Sequence, residues 1–150
     1  MNDPQRDLHP DLYHILADSR VIAVVGLSIK PERASYQVAH YLQQHGYSIV
    51  PVNPAYAGQL VLGEPCYASL TEAAAALKPV GIDVVDCFRK ADDILPIVAE
   101  AIAARVRCLW LQLGIVNQQA AALARAAGLD VVMDRCMKIE HIRLNPVAAA

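Results

Sequence analysis

The sequence predicts an α/β fold, a single doubly wound and mostly parallel sheet with helices on both faces. Three observations point there. Apolar residues make up 55% of the chain while aromatics are only 5%, and mean hydropathy is +0.29. The excess is alanine and β-branched residues, which suits strands buried on both faces that read as continuous apolar runs. Such runs alternate with segments of helical periodicity along the chain. At 150 residues the length fits one domain able to bury roughly two-thirds of the surface its unfolded form exposes.

Each element follows from its residues. Leu8, Leu12, Ile15 and Leu16 share one helical face, which predicts a leading helix over 8–18. VIAVVG, 21–26, is a buried strand stopped by glycine. After the loop LSIKPER, Val38, Tyr41 and Leu42 sit at helical spacing, and Gly46 caps that helix. A strand, YSIVPVNP, follows and is stopped by Pro54. This strand–helix–strand unit has a short crossover, so its strands pair in parallel with a right-handed connection. Residues 55–67 meander, with a short strand at 59–62. Ser69 and Glu72 form a capping-box pattern ahead of EAAAAL. IDVVDCF is the third major strand, and ADDILPIVAEAIAARV is a helix with Ile94, Ile97, Val98, Ala101 and Ile102 as its stripe. RCLWLQLG is a strand, NQQAAALARAAG a helix, LDVVM the last strand and MKIEHIRL a closing helix. All 150 residues are expected to form one domain, with 1–7 and 145–150 as flexible ends.

Composition excludes several classes of function. Lysines and arginines number 13 against 15 acids, so neither nucleic acid nor an anionic membrane is drawn by overall charge. No run reaches the ~18 apolar residues of a membrane span. The opening 20 residues carry Asp3, Arg6, Asp7, Asp11, Asp18 and Arg20, unlike a secretory leader, so a cytoplasmic location is expected. Cys66, Cys87, Cys108 and Cys136 show no zinc-type spacing. Cys87 and Cys108 fall in strands and read as small buried hydrophobes.

In a parallel sheet, ligands gather outside the carboxyl ends of the strands. The loop after the first strand carries Gly26, Ser28, Lys30, Arg33, Ser35 and Tyr36. A terminal glycine permits close approach, and the next helix turns unpaired N–H groups and a positive dipole end toward an anion. Phosphate or pyrophosphate suits this construction. Read alone, the loop is equally a solvated connection. Arg89, ending another strand on that edge, favours an anion between the cations. Two common phosphate signatures are missing. G-x-G-x-x-G would need glycines at Ser28 and Pro31, and Asn53-Pro54 stands where a ribose-binding acid would be. A walker-type loop is absent too, which turns the reading away from a standard NAD enzyme.

Several motifs occur together in order: V-V-G-L-S, K-P-x-R-x-S-Y, G-Y-x-I-V-P-V-N-P, D-V-V-D-C-F-R, L-W-L-Q-L-G and D-R-C-M-K-I-E-H. With them, from about Leu8 to Leu144, the chain resembles the small stand-alone CoA-binding protein family. That family is Rossmann-like and similar to the CoA-binding domain of the succinyl-CoA ligase α subunit. The resemblance implies coenzyme A, or an acyl-CoA, lying across the carboxyl edge. Its phosphates would meet Gly26, Ser28, Lys30, Arg33, Ser35 and Tyr36. Asn53 and Pro54 would border the nucleotide, Phe88 and Arg89 would line the groove, and Gln112 and Gly114 would sit toward the pantetheine. Lys138, in the closing motif with Asp134, Arg135 and Cys136, would reach a phosphate or remain solvated.

The ligase carries its phosphorylated histidine on a second domain, for which these 150 residues leave no room. His9, His14, His40, His45 and His141 lie on helices or near the ends, away from the strand-end loops where acid–base work would need them. Most are expected to be solvated. Cys136 is the candidate nucleophile, because a neighbouring cation such as Arg135 can lower a thiol pKa; it is also a packed small residue in the plainer reading. The expectation is a binding module without its own catalysis, acting as a carrier, sensor or partner of an enzyme. The alternatives are a small enzyme using acyl-CoA, or NAD(P) in an atypical mode, and an interaction domain with a vestigial site. A homodimer or an enzyme partner is compatible with the sequence.

Overall fold

The structure, a computed structural model, describes residues 12–144; the expectations for the two chain ends and for Leu8 and His9 lie outside the described residues. Five parallel strands form the main sheet: β1 (Val21–Val25), β2 (Ser48–Val52), β5 (Val84–Cys87), β6 (Cys108–Leu111) and β7 (Asp130–Val132). Their spatial order is β2-β1-β5-β6-β7. Two short strands, β3 (Leu60–Val61) and β4 (Glu64–Pro65), pair antiparallel in the predicted meander.

Both sheet faces are covered, as the apolar strand runs require. On one face lie α1 (Leu12–Asp18), α2 (Ala34–Gln44) and α6 (Met137–Leu144), packed through Leu16, Val38, Leu42 and Met137 on Ile22, Val24, Val84 and Trp110. The other face carries α3 (Leu70–Ala76), α4 (Ile94–Ala103) and α5 (Gln118–Ala126), whose Leu70, Ile94, Val98 and Ala121 meet Ala23, Val85 and Leu109. Alternate strand residues divide between the two cores because side chains along a strand alternate in direction. The predicted alanine-rich helix does begin at Ser69, whose hydroxyl accepts from the Glu72 N–H at 3.1 Å. The helix predicted over 91–106 opens instead as a 3₁₀ turn, Ala91–Asp93. Pro51 is tolerated because β2 is an edge strand; its carbonyl accepts from Tyr67 N at 3.0 Å on the outer side, where the missing N–H also lies.

The strand order places the site. The chain runs from β1 outward to β2, then crosses back over β1 to β5, so winding reverses between β1 and β5. Ligands bind at such a switch point. Val25 pairs with Cys87, which brings the loop starting at Gly26 against Phe88.

One strand residue departs from the apolar pattern. Asp86 is fully buried between Val24 and Trp110 in register, and neither carboxylate oxygen has a partner among the described residues. Burial pushes its pKa well above the ordinary carboxylate range, which keeps it protonated in the fold. The native state then holds a proton that the unfolded chain has released, so stability falls as pH rises from about 4 toward the raised native value. Asp86→Asn should remove this slope. Urea midpoints at pH 5 and pH 8 should differ less in the variant than in the parent, and an equal difference would refute the assignment.

Candidate functional site

The β1 loop is held by its own side chains. Gly26 adopts φ +88°, and a Cβ there would lie 2.6 Å from the Phe88 carbonyl oxygen. The sequence suggested that this glycine admits a ligand. What approaches it in the structure is the end of β5, with Arg89 Nε 3.4 Å from the same point. Ser28 N donates to Ser35 Oγ at 3.0 Å, and Lys30 N donates to Ser28 Oγ at 3.0 Å. Both hydroxyls therefore fix the loop while keeping a hydrogen to donate.

Helix α2 starts immediately after this loop with Arg33 as its N-cap and no side-chain cap. An uncapped N-terminus leaves its first N–H groups open to an anion. Gly26, Ser28, Lys30, Arg33 and Ser35 line a cavity of about 300 Å³ here, together with Ala34, Tyr56 and Phe88. Tyr56 is missing from the sequence-based set. It arrives on the 3₁₀ turn Pro54–Tyr56, capped by Asn53 Oδ1 accepting from Ala55 N at 3.0 Å. An Asn-Pro pair signals such a turn, though not where it points.

Asn53 has a different part from the one expected. It is buried, its Nδ2 donates to Leu27 O at 3.0 Å, and its Oδ1 also accepts from Arg89 at 3.3 Å. It ties the β1 loop, the 3₁₀ turn and Arg89 together, and acts as a positioning residue.

Beyond Phe88 lies a second cavity of about 470 Å³, lined by Val38 on α2, Ile139 on α6, and Phe88, Arg89, Lys90, Gln112, Leu113, Ile115 and Cys136 from strand-end loops. Ala34 and Phe88 line both cavities, so the two are contiguous. On the opposite side of Arg89 a third cavity, about 340 Å³, includes Pro54, Ser69, Leu70 and Ile97. Phe88 thus lines the first and second cavities, and Arg89 the second and third. Gln112 is buried and caps α6, accepting from Met137 N at 3.0 Å. Trp110 Nε1 donates to Arg135 O at 2.8 Å, and Gly114 N donates to Asp134 Oδ1 at 2.7 Å. These bonds clamp the last two strand-end loops to each other.

Besides Asn53, three predicted residues line none of these cavities. Gly114 serves the clamp. Tyr36 packs partly buried beside His40, with rings 6.1 Å apart. Lys138 Nζ lies over the Tyr41 ring at 5.6 Å, rather than at any of the three cavities. Of the histidines, His141 is buried, with Nδ1 2.7 Å from the Tyr41 hydroxyl, so for this one the solvated reading is corrected. Burial, with His45 adding a smaller push, lowers its pKa. Cys87 and Cys108 are buried, as expected, and burial pushes both thiols up. Cys136 is partly buried at the wall of the second cavity. No group of His, Cys, Asp and Glu among the described residues could hold a metal ion, and none of their helices is long and apolar enough to cross a membrane.

Together the parallel sheet and its switch-point loop define a Rossmann-like α/β protein. The CoA binding domain family matches residues 20–142, and the chain belongs to that family. It is 35% identical to YneT of Bacillus subtilis over 131 residues, covering 87% of this chain and 92% of YneT. A solved Pyrococcus horikoshii protein is 41% identical and superposes with a TM-score of 0.81 over 89% of each chain. The same fold forms 28% of an acetyl-coenzyme A synthetase from Candidatus Korarchaeum cryptofilum, at 21% identity, a TM-score of 0.61 and 88% of this chain.

Proposed function

We propose that this chain binds CoA or an acyl-CoA along the carboxyl edge of its sheet, as one cytoplasmic domain without a catalytic group of its own. It works as a carrier, a sensor or the partner of an enzyme. The observation that carries this reading is the polar cavity at the β1 loop: Lys30, Arg33, two serine hydroxyls and the uncapped start of α2 face one space. Phosphates of CoA suit that set by charge and by hydrogen bonding. The contiguous apolar cavity offers a path for the pantetheine past Phe88 toward Gln112. Asn53, whose amide is engaged within the protein, is unsuited to the ribose contact made by the acid of NAD enzymes. Among the described residues no histidine lines these cavities, and their carboxylates, Asp93 and Glu100, line only the third.

Thermal-shift measurements with CoA, acetyl-CoA, NAD and NADP test the proposal. A CoA-type ligand at a hundredfold excess over its Kd should add about 2.7 kcal/mol of stability, raising Tm by roughly 5–10 °C for a chain of this size. Stabilisation by NAD or NADP with none by CoA would overturn it.

A further inference from the structure

We infer that the apolar cavity beside Phe88 receives a short, uncharged acyl chain of an acyl-CoA, with Gln112 donating a hydrogen bond to the thioester carbonyl. This rests on the CoA reading above and goes further, to the class of acyl group.

Size and continuity come first. The cavity holds about 470 Å³ and shares Ala34 and Phe88 with the phosphate-facing cavity. One extended ligand can therefore keep its phosphates at Lys30 and Arg33 and its far end against Val38, Ile115 and Ile139. The volume falls within the ordinary range for small-molecule sites.

The polar inventory of the wall then narrows the ligand. Gln112 is 5% exposed. Its Oε1 is committed to Met137 N at 3.0 Å, which fixes the side-chain amide. Its amide nitrogen donates to no protein group among the described residues. That nitrogen is not among the fully buried atoms left without a partner, so it stays open to the cavity that Gln112 lines, where a carbonyl of the ligand can accept from it in place of water. Burial argues against an acidic acyl group. Arg89 and Lys90 line the cavity, but Arg89 is held by Asn53 Oδ1 at 3.3 Å and Lys90 is exposed. A carboxylate set among the aliphatic Val38, Leu113, Ile115 and Ile139 would be desolvated at a cost. Finally, Leu113 is 63% and Ile139 42% exposed at the wall, apolar surface that an aliphatic chain would cover.

Calorimetric titration of the intact protein with CoA, acetyl-CoA, butyryl-CoA and succinyl-CoA tests the inference. Butyryl-CoA should bind about tenfold tighter than CoA, since each buried CH₂ contributes about 0.8 kcal/mol, roughly a fourfold gain. Succinyl-CoA should bind no tighter than CoA. Gln112→Glu keeps the acceptor for Met137 N and removes the donor, so the butyryl-to-CoA affinity ratio should fall toward one. Ile139→Glu, at an exposed position, should lower the same ratio without touching the cap. Equal affinities for butyryl-CoA and CoA, a preference for succinyl-CoA, or an unchanged ratio in both variants would overturn the inference. Absence of CoA binding by the folded protein would overturn the reading beneath it as well, and so is told apart from these.

Discussion

Gly26→Ala should lower Tm by roughly 10 °C, corresponding to about 3 kcal/mol for a chain of this length. Two terms add. The backbone at φ +88° disfavours any L side chain by about 1–2 kcal/mol. The new Cβ would also stand 2.6 Å from the Phe88 carbonyl oxygen and 3.2 Å from its carbon, and overpacking of this kind costs about 1–3 kcal/mol. The obstacle is backbone, so no side-chain rotation relieves it. Moving Gly26 away would instead break its N–H bond to Val52 O, 2.8 Å. A scanning-calorimetry loss below about 2 °C would show that the two strand ends can part easily, and that the close approach matters little. Since the loop holding Lys30 and Arg33 starts at this residue, the surviving folded fraction should also lose most of its stabilisation by CoA.

The second large effect concerns binding with little change in stability. Arg33→Glu alone should weaken CoA binding at least tenfold, about 1.4 kcal/mol. The double variant Lys30→Glu/Arg33→Glu should lose on the order of a hundredfold, because charge-assisted hydrogen bonds to phosphate contribute about 1.5–3 kcal/mol each. Both side chains are exposed, and exposed substitutions ordinarily change stability within about 0.5 kcal/mol. Tm without ligand should therefore stay near the parent value. Raising salt should weaken the parent's binding more than the double variant's, since solvent-exposed charges are screened. Unchanged affinity in the double variant would place the anion elsewhere on the edge. Binding lost together with Tm would mean that these residues support the fold.

Several features of the site were legible in the chain because their causes are local. A buried apolar run ending in glycine, followed by serines and two cations ahead of a helix, needs only neighbouring residues to be recognised. That is why Gly26, Ser28, Lys30, Arg33 and Ser35 do share one cavity. Ser69 and Glu72 behave the same way, since a helix cap reaches only three residues. Asp86 shows the limit. Inside IDVVDCF it reads as one polar residue in a strand, and only the cover of α2 and α6 over its face makes it a buried carboxyl. Asn53 was read toward the ligand because its partners, Leu27 and Arg89, lie 26 and 36 residues away.

By itself, then, the sequence determined the alternation of strands and helices, the parallel sheet, and the grouping of serines and cations on the first loop. Propensity, periodicity and caps act over a few residues and survive without knowledge of the whole. Tertiary structure alone decided that Phe88 presses on Gly26, that Tyr56 joins the polar cavity, and that Ile115, Cys136 and Ile139 complete the apolar one. Those contacts depend on strand order, with β5 crossing back beside β1. That order is set by the burial of both sheet faces at once, a property of the whole chain rather than of any segment.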